Sequence, residues 1–355
     1  MVVIDHSDRQ QAREWFNSVE EVVFTDADLC SEPLYTLDNG KPVPAIQLCK
    51  VESMQAAYIV CLYQNWEGDD ASKRRIRRFR FSTIVSVIRD IGIRHVRHKD
   101  SDTCTTGEFD WHGFAMREHV VIWVFLLDHA FGIFNNLPPR IVIREMKAHF
   151  AFPESCFQAP TAESCQDAIR KWRLESSDLA YLTIHEATVL ICEGGMKADT
   201  QQRLANLGPL NLFVIVSAFH GLIFQHQNAM IGGGHFGPIN NGLCNWYAAW
   251  DYYSDQLSSA PHVMVSSEEV TASNAWKRIG FMRYSPEYWL LARLMIDRLQ
   301  RSEDGTDATA CSYKDESEHE PVDAAAHTLA KFDQTSMQQV NSLISELQDV
   351  RISTD

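Results

Sequence analysis

The sequence predicts an all-α fold, built as a single large multi-helix domain of antiparallel-packed helices. Apolar residues recur at three- and four-residue spacing through most of the chain, which is the period of an amphipathic helix. No alternation of apolar and polar residues is long enough to predict a useful strand. The 355 residues, 45% of them hydrophobic, are sufficient to bury a sizeable core.

The helices follow one another in order, and Gly, Pro and polar stretches separate them. The longest uninterrupted one ends where Pro138 and Pro139 remove backbone donors and disfavour helix in the preceding residue. A turn-rich stretch, Pro33–Pro44, separates the first two helices. The predicted helices are Asp8–Phe24, Val51–Trp66, Lys73–Ile91 with Ser72 as N-cap, Trp111–Asn135, one or two within Thr161–Glu193, Arg203–Met230 bent near Gly208, Glu268–Gly280, Ser285–Arg301 and Asp323–Val350.

Four regions are predicted along the chain. Residues 1–44 form an N-terminal helix and a turn-rich lead-in, and residues 45–301 form the main helical domain. Residues 302–322 are charged and poor in apolar side chains, which indicates a mobile acidic linker. Residues 323–355 form a C-terminal helix that we expect to pack back on the domain.

Composition excludes several classes of protein. The formal net charge of -15 argues against a surface that binds nucleic acid throughout, because phosphate binding needs clustered Lys and Arg. The nine cysteines are scattered without a Cys-x-x-Cys pair, which favours a reducing compartment and neither a disulfide scaffold nor a structural zinc site. No apolar run reaches the roughly 18 residues of a transmembrane helix, so we expect a soluble protein without membrane partners.

A dense basic segment stands out in this acidic chain. It places six basic residues in eight positions: Lys73, Arg74, Arg75, Arg77, Arg78 and Arg80. Such a cluster can import a protein into the nucleus or bind phosphate. It can equally be a solvated helix face whose arginine stems cover apolar neighbours. Direct DNA contact is the weakest interpretation, because sequence readout needs contacts to base edges.

An aromatic stretch provides the candidate ligand pocket. Trp246, Trp250 and Tyr253, with His220 from the preceding helix, could line an apolar site between helices. The alternative is that these rings belong to the core. No metal site is predicted, because His220 and His226 are six residues apart and would not share a helix face. No motif identifies a catalytic residue or implies a cofactor.

The segment Trp111–Asp128, WHGFAMREHVVIWVFLLD, resembles the most diagnostic helix of the fungal-specific transcription factor domain. The resemblance continues through Asn136–Pro139, Phe152–Phe157 and Trp276–Ala292, in the order typical of that family, and covers most of residues 45–350. Three charged residues of the diagnostic helix are candidates for internal ion pairs, since buried charges must be paired to be tolerated. These residues are Arg117, Glu118 and Asp128.

The resemblance implies a nuclear regulator of transcription, often of a metabolic or secondary-metabolite gene cluster. Family members usually begin with a six-cysteine zinc cluster or paired Cys-His fingers, and no cysteine constellation in this chain replaces that module. We therefore expect action through a DNA-binding transcription factor or through self-association, with a small apolar effector as a further ligand. The alternative is a cytoplasmic helical domain recruited as a small-molecule-binding protein or as a biosynthetic enzyme of the cyclisation or isomerisation type.

Overall fold

The structure is a computed structural model. It describes residues 6–32, 35–38, 41–44, 48–91, 111–157, 159–228, 236–259, 280–303 and 337–354. The predicted helix Glu268–Gly280 and the predicted linker 302–322 lie almost wholly outside these ranges, as does the first half of the predicted C-terminal helix.

In the first part of the chain, the residues described form six helices and a hairpin. They are α1 (His6–Phe24), α2 (Ala27–Cys30), β1 (Tyr35–Asp38), β2 (Lys41–Pro44), α3 (Leu48–Glu67), α4 (Asp70–Arg75), α5 (Phe81–Ile91) and α6 (Trp111–Asn135). A single π-helical turn, Ile76–Arg80, joins α4 to α5. Helix α6 has the predicted bounds.

The described residues of the second part form eight further helices. They are α7 (Glu154–Phe157), α8 (Ala162–Ser176), α9 (Ile184–Ile191), α10 (Ala198–Ala205), α11 (Pro209–Gln227), α12 (Gly237–Ser259), α13 (Ser285–Glu303) and α14 (Met337–Thr354). Short 3-10 turns span Ile143–Glu145, Ser177–Tyr181 and Gly280–Tyr284. The all-α fold class is confirmed.

Helix α11 is the centre of the core. It packs against α6, α12 and α13, and every side chain from Leu212 to Phe219 is buried. By length and composition α11 could cross a membrane, and it is the one such helix among the residues described; 67% of its apolar window is covered by the rest of the fold. A helix that is hydrophobic all round is expected at the centre of a large helical domain.

Three local predictions are wrong. Residues Tyr35–Asp38 pair antiparallel with Lys41–Pro44, so the turn-rich lead-in contains a hairpin. Its strands have only four residues each, and the two prolines of β2 fit a strand that needs few ladder bonds. The N-cap of α4 is Asp69, whose carboxylate accepts a hydrogen bond from the Ser72 backbone N–H at 2.7 Å.

The third correction concerns the predicted helix Arg203–Met230. It is two helices, α10 and α11, because Gly208 has a φ of 89°, a left-handed conformation that glycine adopts without steric cost. Pro209 then occupies the first position of α11, where its missing N–H leaves no bond unmade. The chain is therefore broken, where the sequence predicted a bend.

Helix α14 covers the end of the domain. It packs on α13 and buries Val340, Leu343, Ile344 and Leu347. These four residues are spaced by three, one and three positions, so they form one apolar face.

Candidate functional site

The basic segment Lys73–Arg80 is tied to α1 by a buried carboxylate. Glu20 is fully buried and accepts hydrogen bonds from Arg75 Nε at 2.6 Å and Arg75 Nη2 at 2.7 Å. Arg80 Nε donates to the same carboxylate at 2.8 Å, and Gln64 Nε2 donates at 3.2 Å. Two arginines and one carboxylate thus connect α1 to the segment that carries the cluster.

The π-helical turn brings these two arginines together. Residues five apart are separated by roughly 140° around an α-helix, so Arg75 and Arg80 would diverge in a regular helix. The backbone N–H of Phe81 instead reaches the carbonyl of Ile76, five residues earlier. This wider turn closes part of the angular gap, and both guanidinium groups reach Glu20.

The electrostatics favour a charged Glu20. Burial by itself would raise the pKa of this carboxyl, but the hydrogen bonds and charges of Arg75 and Arg80 outweigh burial and hold the pKa below its usual value. Glu20 also raises the pKa of Arg75. An ion pair of this kind fixes geometry through several charge-assisted hydrogen bonds at once.

The other basic residues divide into engaged and exposed ones. Arg77 is partly buried and donates from Nε to Asn65 Oδ1 at 2.9 Å. Arg74 and Arg78 are exposed, Lys73 is partly exposed, and Phe79 between them is 67% exposed. Half of the cluster therefore serves the fold, and half faces solvent.

One of the three candidate ion-pair residues, Asp128, carries its carboxyl group into the core. Asp128 is fully buried; its Oδ2 accepts from the Ile141 backbone N–H at 2.7 Å, and its Oδ1 lies 4.0 Å from Arg140 Nη1. Burial raises the pKa of Asp128 to about 6, although Ile141 and Arg140 act in the opposite direction. The side chains of Arg117 and Glu118 lie outside the described residues.

The four predicted pocket residues do not form one site. Trp246 is fully buried and donates to the Leu212 carbonyl at 2.7 Å, so its indole belongs to the core. His220 is buried, and its Nε2 lies 2.9 Å from the Tyr288 carbonyl. Trp250 stacks on Trp246 and contacts Tyr253, with both pairs of ring centroids 5.4 Å apart. The pocket interpretation is therefore corrected for Trp246 and His220, whose rings fill space between helices.

Trp250 does line a cleft, at the surface between α12, α13 and α14. The cleft has a volume of about 650 Å³, and Arg283, Glu287 and Asn341 contribute polar walls.

Two histidines, His129 and His220, are buried in the core, and histidine is a frequent acid–base catalyst. Burial lowers the pKa of His129 to about 4 and that of His220 to about 4. His129 Nδ1 lies 2.9 Å from the Phe125 carbonyl. Each ring is thus a neutral donor to a backbone carbonyl within the core. In the described part of the chain, no three His, Cys, Asp or Glu side chains converge as metal ligands would.

Sequence reasoning missed a second cavity, between α3, α6 and the start of α11. Its volume is about 460 Å³, and its walls are mostly apolar. Trp123 of the diagnostic helix is only partly buried and lines this cavity. Helix periodicity places Trp123 on an inward face but says nothing about whether the facing helices fill the space beside it.

Comparison with known proteins gives one informative similarity. The described residues form a large all-α domain with a buried ion-pair network, a surface cleft and an apolar cavity. The chain is 44% identical, over 98% of its length, to a protein of Penicillium polonicum named "Transcription factor verF". The alignment spans 47% of that protein, so this chain corresponds to about half of its relative. No family model and no solved structure matches the chain.

Proposed function

We propose that this chain regulates transcription in a fungus, as the helical regulatory part of such a factor. The observation that carries the proposal is the 44% identity to "Transcription factor verF", which extends over 98% of the chain. Similarity of this extent covers nearly the whole of the chain. It therefore supports a shared fold and a shared role for this half of the relative.

We further propose that the chain is recruited to DNA indirectly. Because the surface is acidic overall and half of the basic cluster is bonded within the fold, recognition of DNA belongs to other residues or to a partner. The partner would be a DNA-binding transcription factor or a second copy of this chain. The target genes would form a metabolic or secondary-metabolite cluster, and the protein would act in the nucleus.

A deletion strain tests the role in transcription. We expect loss of the gene to lower the transcripts of several clustered genes together, with loss of the corresponding metabolite. Normal transcripts with accumulation of a single intermediate would show an enzyme and would overturn the proposal. Restoring the deleted gene should return both transcripts and metabolite.

Nuclear import by the exposed half of the cluster has its own test. Replacing Lys73, Arg74 and Arg78 by alanine removes the solvent-facing charges and leaves the bonds to Glu20 in place. We expect a fluorescently tagged variant to move from nucleus to cytoplasm. The matched control replaces three basic residues that are exposed elsewhere: Arg144, Arg170 and Lys171.

The two variants separate a local signal from a general effect of charge. The control variant should remain nuclear, because it loses the same number of positive charges from another surface. Nuclear accumulation of both variants would contradict import through this segment. Cytoplasmic location of both would assign the effect to net charge.

A further inference from the structure

The cavity between α3 and α6 is enclosed on several sides by different elements. Helix α3 contributes Gln55, Tyr58 and Ile59, and helix α6 contributes His119, Val120 and Trp123. The remaining walls come from Phe152–Glu154, Leu207–Asn211 and Met282. A volume of about 460 Å³ lies within the range of roughly 300–1,000 Å³ that small-molecule sites occupy.

The apolar walls of the cavity offer water few hydrogen-bond partners. Trp123, Phe152 and Met282 present aromatic and thioether surface to the space, and Ile59 stands at its rim with 58% of its surface exposed. When an apolar group displaces water from apolar surface of this kind, the free energy of the system falls. The lining therefore selects a mainly apolar occupant.

Two polar groups in the cavity wall have unused hydrogen-bonding capacity. Within the described residues, neither the Tyr58 hydroxyl nor the Gln55 amide makes a hydrogen bond to protein. They lie three residues apart on α3, so they are neighbours on one helix face. Asn211, by contrast, uses its whole amide on the backbones of Ala151 and Leu207. The cavity thus has a polar edge on α3 that can bind an occupant.

Charge further restricts the occupant. Burial raises the pKa of the Tyr58 phenol, so this group is a neutral donor at any physiological pH. The lining contains no Lys or Arg, so an anion would meet no permanent positive charge. The one carboxylate of the lining, Glu154, is exposed, where water and salt weaken its attraction for a cation. An uncharged ligand avoids the cost of burying an unpaired charge.

From these observations we propose that the cavity binds a small, uncharged, mainly apolar molecule that has a ring system and a carbonyl or hydroxyl group at one end. The rings lie between Trp123 and Phe152, and the oxygen meets Tyr58 and Gln55. This binding activity stands independently of the proposed role in transcription, because it rests on the cavity alone.

The probe for the test is 6-propionyl-2-dimethylaminonaphthalene, an uncharged naphthalene with a carbonyl whose emission shifts to the blue in an apolar site. With about 17 non-hydrogen atoms, it should bind the purified full chain with a Kd on the order of 100 µM or tighter. Tyr58→Phe should weaken binding about 3- to 10-fold, because it removes one donor to the carbonyl.

Two substitutions that fill the cavity, Ile59→Trp and Leu210→Trp, should weaken binding at least about 10-fold, through steric exclusion. Ile59 is exposed at the rim, so Ile59→Trp should fold even if Leu210→Trp does not. Val189→Trp is the matched control, since Val189 is 53% exposed and lies outside the cavity.

A second control addresses an exposed apolar patch on α1, where Trp15 and Val22 are 69% and 70% exposed. Val22→Asp should leave probe binding unchanged. Loss of binding in Val22→Asp with retention in Ile59→Trp would place the probe on that surface and overturn the proposal. Absence of a blue shift in the unmodified protein, or undiminished affinity in Ile59→Trp, would overturn it equally.

Discussion

Replacing Glu20 by alanine tests the ion-pair network that fastens the basic segment to α1. The substitution removes a fully buried carboxylate that accepts three hydrogen bonds from two arginines and one from Gln64. The guanidinium groups of Arg75 and Arg80 remain, with 32% and 20% of their side chains exposed. Two partly buried cations would then lie together with only the exposed carboxylate of Glu21, on Arg80, as a counterion.

The expected loss of unfolding free energy is about 3 kcal/mol. Removing one partner of a fully buried ion pair costs about 3–5 kcal/mol, and hydrogen bonds to charged groups contribute about 1.5–3 kcal/mol each but are not additive. Partial exposure of both arginines lets water replace some of the lost bonds, which argues for the lower end. Glu21→Ala is the control: Glu21 pairs with Arg80 but is 63% exposed, so its loss should cost at most about 1 kcal/mol.

Urea unfolding followed by circular dichroism at 222 nm measures both variants at pH 7. The pKa of Glu20 is lowered in the folded protein, so its stabilisation is complete above the ordinary value of 4.5 and is lost as pH falls through the folded pKa. The difference between the parent chain and Glu20→Ala should therefore shrink below pH 4.5. Equal effects of Glu20→Ala and Glu21→Ala would refute the reasoning, because they would show that burial of the carboxylate does not matter.

Three further predictions concern buried residues of α6 and its contact with α11. Because the pKa of His129 and that of His220 are each lowered to about 4, the unfolded chain binds more protons between pH 4 and 6.5. Unfolding free energy should therefore fall as pH falls through that window, by up to about 1.4 kcal/mol per pH unit for each histidine. The pKa of Asp128 is raised to about 6 in the folded protein, so protonation of Asp128 stabilises the fold as pH falls. Asp128→Asn removes this contribution, so the unfolding free energy measured in urea titrations should fall more steeply with decreasing pH. Gly221→Ala should lower the unfolding free energy by about 1–3 kcal/mol through overpacking, because the added Cβ would lie 2.5 Å from His129 Nε2. Gly132→Ala is the control, since its Cβ would lie 3.5 Å from its nearest neighbour. Thermal melting should show Gly132→Ala to be neutral or slightly stabilising.

The histidine and glycine predictions can each be contradicted by one result. His220→Gln should reduce the slope of stability against pH, and an unchanged slope would show that the ring is protonated in the core. Equal melting temperatures for Gly221→Ala and Gly132→Ala would mean that the α6–α11 contact can relax around a methyl group.

The helix bounds were predicted well where residues at the helix ends themselves start or stop a helix, as Ser and Pro do. Helix α6 ends where Asn136 adopts a positive φ of 51°, just before the paired prolines that predicted its end. Helix α13 starts at the predicted Ser285. The hairpin at Tyr35–Pro44 was missed because four-residue strands are too short to show an alternating pattern.

Long-range partners explain what sequence reasoning missed in the candidate sites. The basic cluster was treated as one feature, but Glu20, 55 residues from Arg75, divides it into bonded and exposed halves. Trp246 and Trp250 have the same residue type and nearby positions, yet one is core and the other lines a cleft. Neither distinction has a local signature, since it depends on which helices pack beside each residue.

The π-helical turn at Ile76–Arg80 makes the length of this segment as important as its composition. A π-helical turn holds one residue more than the α-helical turn it replaces, so deleting one residue here would restore a regular α-helix and leave α5 close to its present orientation. Arg75 and Arg80 would then be four residues apart on one helix face, still within reach of Glu20. Deleting two residues would instead rotate α5 by about 100° relative to α4 and turn its apolar face away from the core. Natural variants of this chain should therefore tolerate exchanges of basic residues at Arg74 or Arg78, or the loss of one residue between α4 and α5, far better than the loss of two, which a survey of insertions and deletions among homologues would reveal.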